Sequence, residues 1–108
     1  MRLGTSSPLA HTSPEDWAER HRQLGLGAVN FPLTCEREET LVQAYAACAR
    51  RAGLELAEVG VWRNVLDPDA DKRERAVQYA IGQLELADRI GAACCVNILG
   101  ARGARWDG

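Results

Sequence analysis

Three times along the chain a polar, helix-like stretch halts at a glycine and an apolar run follows at once. The junctions are Leu24-Gly25-Leu26-Gly27-Ala28-Val29, Ala52-Gly53-Leu54-Glu55-Leu56 and Ile90-Gly91-Ala92-Ala93-Cys94-Cys95-Val96. Glycine just past a helix end reaches the left-handed cap without a Cβ clash. A strand directly after each cap predicts repeated helix-to-strand returns, the mark of βα units and a parallel sheet. In such folds the chemistry sits at the carboxyl ends of the strands.

The pattern predicts a first strand over Leu3–Ser6. A helix then opens at Ser13-Pro14-Glu15-Asp16, where serine caps, proline suits the first helical position and acids meet the positive end of the dipole. Trp17, His21 and Leu24 fall at helical spacing on its buried side, and His21 reads as structural. A second strand over Ala28–Phe31 is stopped by Pro32. The next helix is expected over Thr34–Ala52, with Leu41, Tyr45, Cys48 and Ala52 as its stripe, widened by Val42, Ala46 and Ala49. A third strand is expected over Leu54–Trp62. Asp71-Lys72-Arg73-Glu74 has capping-box form and should start the longest helix. Val77, Ile81, Leu84, Asp88 and Ala80, Leu84, Ala87, Gly91 are that helix's expected facing rows. A fourth strand follows over Cys94–Leu99, and Gly100–Gly108 reads as a glycine-rich loop.

The expected order is β-α-β-α-β-α-β. It leaves two open parallel edges and one strand without a covering helix, and parallel sheets are normally buried on both faces. The pattern therefore predicts the N-terminal part of a larger α/β domain.

Composition changes this picture little. The chain has 108 residues, 46% of them apolar, which suits one domain or part of one. A net charge of -2 argues against a nucleic-acid-binding module. No apolar run is long enough for a membrane span or a signal peptide, so a cytoplasmic location is expected. Cys35, Cys48, Cys94 and Cys95 form no metal-site spacing, and adjacent Cys94 and Cys95 on a strand face opposite ways. They read as small buried residues in a reducing compartment.

From the third strand onward the sequence is recognisable. Ala57-Glu58-Val59-Gly60-Val61-Trp62-Arg63-Asn64, Leu66-Asp67-Pro68-Asp69, Leu86-Ala87-Asp88-Arg89-Ile90-Gly91-Ala92 and Cys95-Val96-Asn97-Ile98-Leu99-Gly100 resemble the sugar phosphate isomerase/epimerase family. Arg102-Gly103 and Trp106-Asp107-Gly108 resemble that family's loop after the fourth strand. The resemblance implies a xylose isomerase-like TIM barrel, with residues 1–108 as the N-terminal part of that single domain and about the first four of its eight βα units. It implies proton transfer between adjacent carbons of a small sugar or polyol through an ene-diolate. It also implies a divalent metal (Mn, Mg, Co or Zn) held by Glu, Asp, His and Glu of later strands. No residue here matches those ligands, so this chain is expected to hold neither the metal nor a catalytic residue and to be inactive alone. Nucleic acid and membrane are not expected partners, and self-association stays open.

Substrate-binding candidates come from the strand ends. Trp62 can wall the carbon face of a sugar, and Asn64 can bond its hydroxyls; the competing roles are a core cap and a turn. Glu58 and Asn97 lie inside strands, where a polar group needs partners or solvent. His11 lies in the loop after the first strand. Arg102 and Arg105 among glycines could hold a phosphate but read as ordinary loop arginines, and Asp67–Arg75 reads as a solvated helix start. Two other functions compete with the enzyme: a truncated half-barrel with a binding or structural role, and an abasic-site endonuclease relative, which would want a basic stripe. A flavodoxin-like open sheet is the competing fold, for which Gly4-Thr5-Ser6-Ser7-Pro8 is a weak phosphate loop.

Overall fold

The structure, a computed structural model, describes residues 1–5 and 9–103. Its elements in chain order are β1 (Gly4–Thr5), α1 (Pro14–Gln23), β2 (Ala28–Asn30), α2 (Glu39–Arg51), β3 (Glu55–Val61), α3 (Ala70–Ile90) and β4 (Cys94–Asn97). The strands form one sheet in the order β1-β2-β3-β4, and every neighbouring pair is parallel. The alternating α/β pattern read from the three glycine junctions is therefore present. Gly25, Gly53 and Gly91 all have positive φ, between 69° and 73°, as left-handed caps require.

The order never reverses. Successive right-handed crossovers then put all the helices on one side of the sheet. The core agrees: Trp17 of α1, Val42, Tyr45 and Ala46 of α2, and Leu86 and Ile90 of α3 join Val29, Leu56 and Val59 in one buried cluster. The other face of the sheet has no helix on it among the described residues. No helix among them is long and apolar enough to cross a membrane.

α1 begins as expected. The Ser13 hydroxyl accepts from the Asp16 N–H at 3.1 Å, and Pro14 fills the first turn, where no N–H is needed. Trp17 and His21 are buried, and the His21 ring turns back to the Trp17 carbonyl at 2.7 Å, a structural role. Leu24 departs from its expected place. It caps the helix and is 63% exposed, because the chain has already left the helical path there.

Several element boundaries also shift. α2 starts at Glu39 rather than Thr34, because Arg37 N bonds Thr34 O at 3.1 Å and closes a turn first. The cap of α3 comes two residues before the expected one: it is Asp69, accepting from Lys72 N at 3.0 Å, and Asp71 already lies inside the helix. The strands are shorter than their apolar runs, and Ser6 lies outside the described residues.

The largest correction concerns α3. Its buried positions are Ala76, Gln83, Leu86, Ala87 and Ile90, while Val77, Ile81 and Leu84 are exposed. The helix is turned by about one residue, roughly 100°, from its apolar rows. Small Ala76 and Ala87 let it approach the sheet, and Gln83 bonds two main-chain groups there. Of the cysteines, Cys48 is buried, Cys35 and Cys95 are half-buried, and Cys94 is exposed on the bare side of the edge strand, contrary to expectation.

Candidate functional site

A bulge between β2 and β3 builds the centre of the bare face. Val29 pairs with Leu56, but Asn30 pairs with Glu58, so β3 carries one extra residue at this point. Leu56 and Val59 both reach the helix-side core in consequence. Glu58 is turned to the opposite face, beside Asn30. The Asn30 amide donates to Glu58 Oε1 at 3.2 Å, and both residues are half-buried.

Gly60 stands two residues further along the same face. A Cβ there would collide with the Trp62 indole, so the missing side chain is what lets that ring lie back over the strand. Trp62 remains 63% exposed. Asn30, Glu58, Gly60 and Trp62 line a cleft of about 430 Å³ at the carboxyl ends of β2 and β3. Its far wall is the β2–α2 connection, from Phe31 to Thr34, with Tyr79 and Gln83 of α3 behind it.

The wall is fixed by polar contacts. The buried Gln83 amide donates to the Gly60 carbonyl at 2.8 Å and accepts from the Cys35 N–H at 2.7 Å. Arg63 donates to both carboxylate oxygens of Glu36, at 2.7 and 2.8 Å, and its guanidinium lies 3.5 Å from the centre of the Tyr79 ring. Burial pushes the Tyr79 phenol above its ordinary range, with the Arg63 charge opposing. Burial, then the Glu36 charge, pushes the Cys35 thiol up in the same way. Neither group is prepared as a nucleophile.

The other sequence candidates take different places. Asn64 is occupied: its amide donates to Ala101 O at 2.7 Å, and its oxygen accepts from Ala101 N at 2.9 Å and Leu66 N at 3.1 Å. It ties the loop after β4 to the loop after β3. Asn97 is in register with buried Val61, so it stands on the helix side of the sheet, away from Glu58. His11 sits against α2, with Nδ1 at 2.5 Å from Leu9 O and Nε2 at 2.9 Å from the Tyr45 hydroxyl. A carbonyl only accepts, so Nδ1 carries a proton and donates to Leu9 O. Arg102 lines a separate cleft with Arg73, and Arg105 lies outside the described residues.

Sequence reasoning thus reached Glu58 and Trp62 but missed Asn30 and Gln83. Asn30 had a signal, a polar residue at a strand end just before Pro32. Gln83 had none, because nothing in a helix marks a glutamine as buried.

Among the described residues no group of three His, Cys, Asp or Glu side chains is placed to hold a metal. Among the described residues the strands place two carboxylates on the bare face, Glu55, paired with Arg2 at the amino end, and Glu58, bonded to Asn30. These donors do not fit a divalent-metal centre. No family model matches the chain, and no curated protein or solved structure matches it either.

Proposed function

We propose that this chain is the first half of a sugar or sugar phosphate isomerase/epimerase with a xylose isomerase-like barrel, and that its bare face binds the carbon chain of a small sugar or polyol. One observation carries the reading: a carboxylate, a carboxamide and an exposed indole share one face at the carboxyl ends of β2 and β3. That is the chemistry a polyol asks for. Trp62 offers an apolar wall to C–H groups. Glu58 uses Oε1 for Asn30, and its second oxygen accepts from a hydroxyl. The Asn30 bond holds that carboxylate in place. The one-way strand order supports the half-barrel part of the proposal, because a singly wound parallel sheet with one bare face is what a barrel is made from. Proton transfer between carbons belongs, in this reading, to residues of further βα units.

Titration of the chain with xylose and xylitol, followed by tryptophan fluorescence, tests the binding step, with Trp62→Ala, which leaves Trp17 and Trp106 to emit, showing whether the change comes from Trp62. Both ligands should change the emission, and Glu58→Gln and Trp62→Ala should weaken or abolish the change. A version extended by four further βα units with metal-ligating strands should isomerise xylose in Mn²⁺, and the short chain should not. Turnover by the short chain, or an emission that no sugar alters, refutes the reading.

A further inference from the structure

We infer that the loops after β3 and β4 form a second binding site, one that takes a phosphate group between Arg73 and Arg102. The inference stands on these residues and does not rest on the sugar cleft proposed above. The two arginines line one cleft of about 340 Å³, with Leu66 and Pro68 as its apolar wall. Arg73 stands in the first turn of α3. Its Nη1 donates to the main-chain carbonyls of Asp67, at 2.7 Å, and Pro68, at 3.5 Å. Those bonds lay the guanidinium against the β3–α3 loop, and Nε and Nη2 keep no partner among the described residues. Arg102 comes from the other loop. Asn64 clamps its neighbour Ala101 through both main-chain groups, at 2.7 and 2.9 Å, and the same side chain accepts from Leu66 N at 3.1 Å. Gly100 permits the clamp, because at its φ of 86° a Cβ would collide with Asn64 Oδ1.

The clamp therefore sets two like charges around one cleft. Like charges repel, and the arrangement costs free energy unless an anion lies between them. Among the described residues no carboxylate pairs with either guanidinium, and no acid lines the cleft. The acids of the adjoining loop are engaged by main-chain donors. Asp67 Oδ1 accepts from Asp69 N at 2.9 Å, and Asp69 Oδ1 accepts from Lys72 N at 3.0 Å. Lys72 and Arg75 offset the Asp69 charge. Each cleft guanidinium offers a flat fork of N–H donors, the geometry that grips two oxygens of a phosphate. A phosphate monoester carries close to two negative charges at neutral pH, which two arginines match, whereas a carboxylate brings one. The place suits a ligand as well, since both loops leave the carboxyl ends of their strands. Free phosphate and a phosphate carried on a sugar present the same group to the site.

Nitrogen NMR of the purified chain at low salt reads the site at the arginines themselves. Inorganic phosphate should shift the side-chain Nε–H signals of Arg73 and Arg102 together and to saturation, while acetate at the same ionic strength should not. Arg73→Gln or Arg102→Gln, read at the remaining arginine, should weaken phosphate binding about tenfold or more, as the loss of charged hydrogen bonds predicts. Arg102→Lys keeps the charge without the fork and should fall between. Arg50→Gln removes an exposed charge from the last turn of α2 and should change nothing. Asn64→Ala should weaken phosphate binding without touching the ion, because it frees the loop that carries Arg102. Xylose 5-phosphate tells the two sources apart: tighter binding than phosphate, with a change in tryptophan emission, assigns the group to a sugar, and equal binding with unchanged emission assigns it to the free ion. Signals that never saturate, an equal response to acetate, or Arg73 and Arg102 variants that bind phosphate as the wild type does would each overturn the inference. Phosphate binding with no response to xylose would sink the proposed function alone, and the reverse would sink only the phosphate site.

Discussion

The buried amide of Gln83 donates to the Gly60 carbonyl at 2.8 Å, closing the place where the β2–β3 ladder runs out. The last bond of that ladder is Phe31 N to Glu58 O, at 2.8 Å. The Gly60 carbonyl points to the same side two residues on, where β2 has already ended. Gln83 fills that vacancy and takes the Cys35 N–H with its oxygen. Gln83→Leu keeps the volume and orphans both groups. It should cost about 1–3 kcal/mol in urea unfolding. A midpoint equal to wild type would show that solvent already serves those groups.

Gly60→Ala tests the cleft rather than the core. The added Cβ meets the far part of the Trp62 side chain, which is exposed and free to swing away. Stability should therefore change by less than about 1 kcal/mol. Acrylamide should quench Trp62 more strongly, because its ring has left the strand. Unchanged quenching would place the indole elsewhere.

Asn64 was expected at the substrate and is found holding a loop. With three hydrogen bonds to Leu66 and Ala101, it is spent on structure. Asn64→Ala should release the loop after β4, seen as faster hydrogen exchange at the Ala101 amide, and leave sugar-induced emission from Trp62 in place. Loss of that emission change with no change in exchange would return Asn64 to the binding site.

The order of elements was legible because glycine caps and apolar runs are local signals, and local chemistry decided them. The face of α3 was not. Val77, Ile81 and Leu84 make the stronger apolar row, yet Ala76, Gln83 and Leu86 face the sheet. Periodicity counts apolar residues and is blind to a carbonyl that needs a donor or to the close approach that alanine permits. The site was legible to the same degree. Glu58 and Trp62 stood out as polar or aromatic residues near a strand end, while the bulge that sets Glu58 beside Asn30 is a property of two strands together.

Asp69 should leave a mark on the pH dependence of stability. The Lys72 N–H bond holds its carboxyl below the ordinary aspartate range, against a smaller opposing effect of burial. Its value in the folded chain is thus lower than in the unfolded one. The stabilisation is present above the ordinary aspartate value and is lost as pH falls through the depressed one. Asp69→Asn keeps a capping oxygen that does not titrate in this range. The wild type should lose its advantage over Asp69→Asn as acid is added across that window, in urea midpoints taken at each pH. A constant difference would mean that the charge contributes nothing.

Leu84 and Leu86 make the sharpest test of how α3 is turned. They lie two residues apart on one helix, have the same side chain, and differ from 57% to 0% in exposure. Leu86 packs in the cluster with Val59 and Ile90, so Leu86→Ala should leave a cavity and cost about 2–5 kcal/mol. Leu84→Ala removes a side chain already largely in water and should stay within about 0.5 kcal/mol. If the apolar rows of the sequence faced the sheet instead, the two costs would be reversed. Chemical unfolding of the two variants side by side decides between these orientations, since alanine changes helix propensity about equally at both positions.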